Sequence, residues 1–188
     1  MANTFTTEER RLIELWERHI RLEFAVRDAA ATVATMSSDN YVNHVPVMTG
    51  GRGHAEMLEF YGKHFIPKMP ADTQIEPVCR TVGQERVVDE LIFKFTHDIE
   101  MDWMLPGIPP TGKRVEVPLV VVVQLGGDDI VCERIYWDQA SVLVQLGLLD
   151  PSVLPVAGAE TARKVQDPRL PSNELIRRAA GRRGNNGG

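Results

Sequence analysis

Cysteine is scarce in this chain, and the patterns that would use it are missing. Only Cys79 and Cys132 occur among the 188 residues, and neither belongs to a CxxC pair or lies near a histidine at metal-ligand spacing. We interpret both as small buried residues on strands. A reducing, cytoplasmic location fits them better than a structural disulfide does.

Long apolar runs and basic patches are also lacking. The longest apolar run covers residues 118–123, far short of the roughly 20 residues that a membrane helix needs. Residues 1–9 lack the basic and apolar regions of a signal peptide. The formal net charge of -5 gives no basic surface for nucleic acid. The sequence therefore predicts a soluble cytoplasmic protein with neither a nucleic-acid partner nor a membrane partner.

Familiar catalytic and metal-binding motifs are missing as well. The chain has no GxSxG sequence, which excludes the nucleophile elbow of an α/β-hydrolase. Its five histidines occur in separate predicted elements, and none forms an HxH or HExxH pattern. We predict no metal site and no cofactor.

The hydrophobic patterning predicts one α+β domain over residues 1–152. Helical patterns come first, at 7–26, 29–36 and 54–65, with a polar turn cluster at 37–40 and a short strand at 41–45 between them. Long strand patterns follow at 74–82, 86–97, 114–125 and 130–137, and a short helix at 142–148 closes the domain. Because helices and strands are segregated along the chain, the class is α+β and not alternating α/β. Residues 153–188 form a C-terminal extension, broken by proline and glycine and partly disordered.

Four sequence stretches resemble the SnoaL-like polyketide cyclases, often named ester cyclases, of the nuclear-transport-factor-2-like superfamily. They are YVNHVP (41–46), FTHD (95–98), LPGIPPTGK (105–113) and ERIYWDQASVLVQLG (133–147). The resemblance covers roughly residues 8–149. It implies a cone-shaped fold in which a strongly curved antiparallel sheet and the N-terminal helices enclose an apolar pocket. It also implies a homodimer that pairs through the convex face of the sheet.

The run at 119–123 is consistent with such a dimer. Its residues, Leu-Val-Val-Val-Val, are apolar on both faces of a predicted strand. A strand of this kind is central and covered on both sides, by helices or by a partner subunit.

The resemblance makes Asp138 the leading catalytic candidate, as a general acid/base. A carboxylate in an apolar cavity has its charged form disfavoured, so its pKa rises toward the range of a proton shuttle. The alternative is structural, because Asp138 is also well placed to cap the helix that follows it.

His44 and His97 are further catalytic candidates, since a neutral imidazole could polarise a substrate carbonyl. Each could equally be a core histidine satisfied by its surroundings. Strict alternation along 86–97 places Asp89 and His97 on the cavity face and Glu90 on the convex face, and a bulge would reverse this.

Four more residues are candidates for substrate binding. Alternation along the last strand puts Tyr136 and Arg134 on the same face as Asp138, although Arg134 could simply form a surface ion pair. Trp103 lies in an apolar loop that could cover the open end of the cone, or pack on its own domain. Tyr41 belongs to the YVNHVP stretch.

Three functions fit this sequence. The first is a cofactor-independent SnoaL-like enzyme that performs acid–base chemistry next to a carbonyl, in a cyclisation, isomerisation or dehydration of a small apolar substrate. The second is a hydrolase of an epoxide or lactone on the same fold, which requires two or more carboxylates around one water. The third is a non-catalytic small-molecule-binding or dimeric adaptor protein, which predicts a pocket filled by side chains and an Asp138 that merely caps its helix.

Overall fold

The first helix of the computed structural model, which describes residues 5–185, begins at a complete capping box. The Thr6 side chain accepts a hydrogen bond from the Glu9 amide, and Glu9 accepts one from the Thr6 amide, which satisfies two free donors at the start of α1 (Thr7–Arg21). The helix continues into a π-helical turn, Leu22–Val26, and stops at Arg27, whose φ is 61°. Such turns are rare in proteins, and those that occur are often found at functional sites.

The remaining N-terminal helices are short. Asp28 caps α2 (Ala29–Val33) by accepting the amide of Ala31. Helix α3 (Gly53–Glu59) also continues into a π-helical turn, Phe60–Phe65, and then into a 3₁₀ turn, Ile66–Lys68. The single helix predicted over 54–65 thus consists of an α-helical part and a π-helical part. In the π-helical part, a residue is displaced from a regular α-helical position.

Six strands form one sheet in the order β2-β1-β6-β5-β4-β3. The strands are β1 (Met36–His44), β2 (Thr49–Arg52), β3 (Gln74–Val82), β4 (Arg86–Thr96), β5 (Arg114–Gly126) and β6 (Asp129–Trp137). Neighbours are antiparallel except β1 and β6, which are parallel. β3 is an edge strand with a register shift between Pro77 and Cys79, as a proline within a strand predicts. The predicted α+β class with a curved sheet is confirmed.

The sheet extends further toward the N-terminus than the sequence indicated. Residues 37–40, a polar cluster interpreted as a turn, belong to β1, and the glycine-rich segment 49–53 contributes the edge strand β2. Gly50 has φ 138° and lies against the carbonyl of Val42 on the neighbouring strand, where a side chain would overlap it. Only glycine fits this close approach of two backbones.

One face of the sheet is buried against α1 and its aromatic neighbours. Along β5, alternate residues from Val115 to Leu125 are buried, and those between them are half-buried. α1 lies against β3, β4 and β6. The concave face therefore points toward the N-terminal helices, and it is here that the chain can enclose a pocket.

Part of the opposite, convex face is covered by the C-terminal segment of the same chain. After α4 (Gln139–Gln145), helix α5 (Glu160–Gln166) packs on β5, with Ala162 fully buried. Arg163 of α5 pairs with Glu116 of β5 at 2.8 Å. The last helix, α6, covers Glu174–Asn185. The partial disorder expected for the C-terminal extension stays a prediction, and residues 186–188 lie outside the described range.

In the portion of the chain from Phe5 to Asn185, no helix combines the length and the apolar character needed to cross a bilayer.

Candidate functional site

A cavity of about 770 Å³ lies between α1 and the concave face of the sheet. Its size is typical of a site for a small organic ligand. Aliphatic and aromatic side chains form most of its wall, and they include Ile20, Phe24, Val42, Phe65, Leu91, Phe93, Trp103, Leu119, Val121 and Ile135. Charged side chains meet this wall at two places, one deep in the cavity and one at its mouth.

Four side chains form a deep acid–base cluster: His19, Glu23, Tyr61 and Glu133. The Nε2 atom of His19 lies 3.2 Å from Oε1 of Glu23 and 3.0 Å from Oε1 of Glu133. The Tyr61 hydroxyl lies 3.3 Å from the same nitrogen. Both carboxyl groups and Tyr61 line the cavity, whereas His19 is fully buried behind them. One imidazole nitrogen thus holds three acidic groups at the cavity wall.

Two members of this cluster lie in π-helical turns of the backbone. His19 is on α1, and Glu23 follows four residues later in the first π-helical turn. Tyr61 lies in the second π-helical turn, and Glu133 faces inward from β6. Glu23 and Tyr61 thus both lie in π-helical turns, which are frequent at functional sites.

Burial and the neighbouring carboxylates set the protonation of the cluster. Burial alone would lower the pKa of His19, but Glu133 and Glu23 outweigh it and raise that pKa to about 10. Burial raises the pKa of Glu23 above its ordinary value, and the charge of His19 only partly offsets this. Burial also raises the pKa of Tyr61 well above its usual range. The cluster therefore favours an imidazolium at His19 and shifts Glu23 and Tyr61 toward their protonated forms.

The cluster also has the composition of a metal site. His19, Glu23 and Glu133 offer ligand atoms within 4.8 Å of one another, and no other His/Cys/Asp/Glu group in the described range converges in this way. However, the Nε2–oxygen separations of 3.0 and 3.2 Å are those of direct ion pairs. We describe the arrangement as an acid–base cluster.

A second group, the mouth ion pair, consists of Arg80 and Asp89. Two guanidinium nitrogens of Arg80, Nε and Nη2, bind the two oxygens of Asp89 at 2.6 and 2.8 Å. The indole N–H of Trp16 donates to the same carboxylate at 2.8 Å, and the third nitrogen of Arg80 contacts Glu17. Bidentate, charge-assisted bonds of this kind are strong and fix the geometry of the buried Asp89 side chain.

His44 lies in the aromatic part of the cavity wall. Phe60, Phe65, Trp103 and Trp137 surround its ring, with centroid distances of 5.2–5.9 Å. Burial lowers its pKa to about 4, so the imidazole is neutral. The Nδ1 atom of His44 has no hydrogen-bond partner and is shielded from water. His44 therefore lines the cavity as predicted, but it contributes an aromatic surface there.

Asp138 does not line the cavity, and the expected placement of Tyr136 and Arg134 is wrong for the same reason. On β6 the residues that face inward are Glu133 and Ile135, so Tyr136 is exposed and Arg134 points to the convex side. Alternation was counted from Asp138, which follows the end of the strand. Its carboxylate accepts the Ser141 amide at 3.1 Å and caps α4.

The other predicted site residues divide between the cavity and its surroundings. Asp89 and Trp103 line the cavity, and Glu90 also reaches its edge beside the register shift of β3. His97 is buried but does not line the cavity, because β4 ends at Thr96 and the ring turns toward Thr111. Tyr41 is exposed on β1, outside the cavity.

Trp103 belongs to the wall of the cavity and not to a lid. Its neighbours Met101, Met104 and Leu105 are fully or almost fully buried, and its carbonyl accepts the Thr49 hydroxyl at 2.6 Å. The apolar segment thus packs on its own domain, which was the alternative considered from the sequence.

The sequence carried a signal for the acid–base cluster that alternation and motifs did not reveal. His19 lies on the apolar stripe of an amphipathic helix, and Glu23 follows at i+4. A carboxylate on the buried side of a helix, one turn after a buried histidine, requires a polar partner. Glu133 is the inward acid of β6, and only the register of that strand reveals it.

Comparison with known families agrees with the fold and with the resemblance found in the sequence. The model of the SnoaL-like domain matches residues 16–133, well over half of the chain. The chain belongs to the SnoaL-like family. No curated protein matches it.

Solved structures of other family members and fold relatives are similar over most of the chain. A Jannaschia sp. CCS1 protein named as a SnoaL-like polyketide cyclase has 18% identity and a TM-score of 0.59, covering 79% of this chain and all of that one. AclR of Streptomyces galilaeus, named as a hydroxylase, has 21% identity and a TM-score of 0.57, covering 77% and 89%. The epoxide hydrolase/cyclase-like enzyme SalBIII, of salinomycin pyran ring formation, has 19% identity and a TM-score of 0.51, covering 71% and 95%. At this identity the likeness shows the fold alone.

Proposed function

We propose that this SnoaL-like protein is an enzyme that uses Glu23 and Glu133 as acid and base next to a carbonyl of a small, largely apolar substrate, without a cofactor. One observation carries the proposal. Two buried carboxyl groups share a single histidine nitrogen, at 3.0 and 3.2 Å, at the deep end of an otherwise apolar cavity. Neighbouring acidic groups whose environments separate their pKa values are the arrangement expected for paired acid and base roles.

The roles follow from the two environments. Burial raises the pKa of Glu23, so this carboxyl group retains a proton and can donate a hydrogen bond to a substrate carbonyl oxygen. Glu133 then accepts a proton from the carbon next to that carbonyl, and the electrons of the broken C–H bond form an enolate. Tyr61, whose hydroxyl also lines the cavity, is a second donor to the enolate oxygen.

The fate of the enolate defines the reaction type. Attack of its carbon on a second carbonyl of the same molecule gives a cyclisation. Return of the proton to a different carbon gives an isomerisation, and loss of a β-hydroxyl group, protonated by Glu23, gives a dehydration. All three use the same proton donor and acceptor. The apolar wall favours a substrate with a ring or hydrocarbon skeleton.

Exchange of the α-proton in D₂O tests the proposal, because it requires only the first proton transfer. Wild-type protein should exchange the α-protons of a suitable β-keto ester or 1,3-diketone from a panel, followed by NMR. Glu23→Gln and Glu133→Gln should each slow exchange by about 10²–10⁴-fold, the usual contribution of a general acid or base. Glu59→Gln, which alters a solvent-exposed acid outside the cavity, is the matched control. Wild-type rates in both cavity variants would refute the proposal.

A second candidate function is the hydrolysis of an epoxide or lactone. The observation that favours it is the convergence of Glu23 and Glu133 on one point, since such a hydrolase needs one carboxylate to activate water and a carboxyl group to protonate the leaving oxygen. The similar fold of the epoxide hydrolase/cyclase-like SalBIII is consistent with this chemistry. Incorporation of ¹⁸O from labelled water into a diol or hydroxy acid distinguishes it from the enolate reactions.

An open cavity also bears on the non-catalytic alternative. An adaptor protein of this fold would have its pocket filled by side chains. Here the pocket holds about 770 Å³ and ends in ionisable groups. We therefore favour an enzyme over an adaptor.

We also propose that two copies of the chain pair through the part of the convex face that α5 leaves uncovered. There Tyr136, which is 42% exposed, pairs with Val120, and Val88 pairs with Val122. All three valines are only half-buried, so this apolar surface suits a second copy. Light scattering should report a dimer for the wild type and a monomer for Tyr136→Glu. A monomeric wild-type protein would contradict the pairing.

A further inference from the structure

Carboxyl groups outnumber basic groups at both polar groups of the cavity. In the deep acid–base cluster, Glu23 and Glu133 share His19. At the mouth, Asp89 and Glu17 share Arg80, at 2.6 and 2.8 Å. A proton on Glu23 balances the charge of the deep cluster, whereas the mouth has two carboxylates for one positive charge. Glu17 is 60% exposed, so the mouth is where a ligand cation meets this excess first.

The rest of the charged lining does not restore the balance. The remaining charged residues that line the cavity are Glu14, Glu90 and Arg10. Two acids again accompany one base. Carboxyl groups are thus in excess from the mouth to the deep end, and the ionised ones raise the local concentration of cations over that of neutral molecules.

The aromatic part of the wall favours the same kind of ligand. Seven Phe, Trp or Tyr side chains line the cavity, namely Phe5, Trp16, Phe24, Tyr61, Phe65, Phe93 and Trp103. Aromatic rings attract a cation placed over the ring face, and this attraction reaches about 2 kcal/mol where water is excluded. Aromatic walls combined with carboxylates are suited to an organic ammonium ion more than to a hydrated metal ion.

The deep cluster contains a carboxylate that such a charge would stabilise. The Oε1 atom of Glu133 is shielded from water and has no hydrogen-bond partner, although Nε2 of His19 lies 3.0 Å away in an unaligned direction. Glu133 is only 3% exposed and forms part of the cavity wall. A cation held in the cavity near this carboxylate would add to the positive charge of His19 and leave the proton of Glu23 in place.

We propose that the cavity selects substrates that carry a protonated or quaternary amine on an otherwise apolar skeleton. This inference rests on the proposed function only in taking the cavity as the substrate site. In combination, the two describe an amino ketone or amino ester, with its carbonyl at the deep acid–base cluster and its nitrogen within the carboxylate-rich, aromatic cavity.

A pair of isosteric ligands tests the charge preference directly. 3-Hydroxyphenyltrimethylammonium and 3-tert-butylphenol have nearly the same shape and differ in the charge of one central atom. Isothermal titration of the wild-type protein at neutral pH should show the ammonium compound binding at least ten times more tightly. Equal affinities, or tighter binding of the neutral phenol, would overturn the proposal, and this comparison needs no variant.

Variants then locate the preference. Glu133→Gln and Glu17→Gln each remove one carboxylate from a group that has two, so each should reduce the ammonium preference by about three- to tenfold. Glu59→Gln should keep the wild-type preference. If all three variants retained it fully, the ammonium ion would be held outside the cavity, and the proposal would be wrong.

The two proposals can fail independently, because the titration involves no turnover. Equal binding of the two ligands with intact α-proton exchange would reject the ammonium substrate and leave the acid–base function standing. Wild-type exchange rates in both Glu23→Gln and Glu133→Gln, with the ammonium preference present, would reject the acid–base function and leave the ammonium substrate standing.

Discussion

Thr35 fixes the orientation of His19, although it does not touch the cavity. Its hydroxyl oxygen lies 2.5 Å from Nδ1 of His19 and donates its own proton to the carbonyl of Thr32 at 2.7 Å. Since that proton is already used, the hydroxyl can only accept from the imidazole, and Nδ1 carries a hydrogen. The other nitrogen, Nε2, therefore lies on the side of the ring near Glu23 and Glu133, at 3.2 and 3.0 Å from their Oε1 atoms.

Replacing Thr35 by valine should therefore disturb the acid–base cluster through the Nδ1 side of His19, which faces away from the carboxyl groups. Valine has nearly the same shape but cannot accept the imidazole N–H, so unfolding free energy should fall by about 1–3 kcal/mol. Exchange of substrate α-protons should slow by about tenfold, and ¹⁵N NMR should show a changed Nδ1 resonance for His19.

Thr35→Ser is the matched control, since serine retains the hydroxyl group. It should keep the His19 resonance and most of the exchange activity. A valine variant with an unchanged resonance would mean that Thr35 does not set the orientation of the ring.

Stability should depend on pH through His19. Its pKa is about 10 in the folded protein and 6.5 when unperturbed, because Glu133 and Glu23 outweigh the effect of burial. A raised folded-state pKa means that the stabilisation is complete below about pH 6.5 and is lost as the pH rises toward 10. Urea unfolding at pH 6.5, 8 and 10 should show this decrease.

The variant His19→Gln should remove this part of the pH dependence. It leaves two buried carboxyl groups without their cation, so we expect a loss of about 3–5 kcal/mol near neutral pH. Wild-type protein whose stability is constant from pH 6.5 to 10 would show that the imidazole is neutral, contrary to this description of the cluster.

His44 should stay neutral over the whole physiological range. Burial among aromatic rings lowers its pKa to about 4, so it should titrate about two pH units below an exposed histidine. An NMR titration of the His44 ring from pH 7 to 4 checks this. Titration near pH 6.5 would mean that water or a carboxylate reaches the ring.

Asp138 should behave as a helix cap. Its carboxylate accepts the Ser141 amide at the start of α4. Asp138→Ala should cost about 1 kcal/mol of unfolding free energy, and Asp138→Asn should cost much less, since asparagine caps equally well. Thermal or urea unfolding of the two variants measures the difference. Equal losses would show that the cap contributes nothing.

Much of this fold could be predicted from local patterns in the sequence. The capping box at Thr6 and Glu9, the apolar alternation of β5 and the disruption by Pro77 are all effects of neighbouring residues. The parallel pairing of β1 with β6 joins segments about 90 residues apart. No local pattern specifies such a contact, and the segment at 37–40 was therefore interpreted as a turn.

The candidate site was harder to predict, because it depends on strand register and on two interrupted helices. Asp89, His44 and Trp103 could be placed at the cavity from alternation and from their apolar neighbours. When alternation is counted from within β6, Glu133 faces the cavity and Asp138, which follows the strand, does not. Tyr61 keeps a four-residue spacing with Met57 and Phe65, so a helical stripe predicts that it is buried but not that it contacts His19.

The most direct test of the acid–base site compares Glu133→Gln with Asp138→Asn in one assay. Both replacements keep the size of the side chain and remove one carboxylate, but only Glu133 lines the cavity. Exchange of substrate α-protons in D₂O should slow by about 10²-fold or more in Glu133→Gln and by less than about twofold in Asp138→Asn. The opposite result, loss of exchange in Asp138→Asn with a wild-type rate in Glu133→Gln, would contradict the site described here.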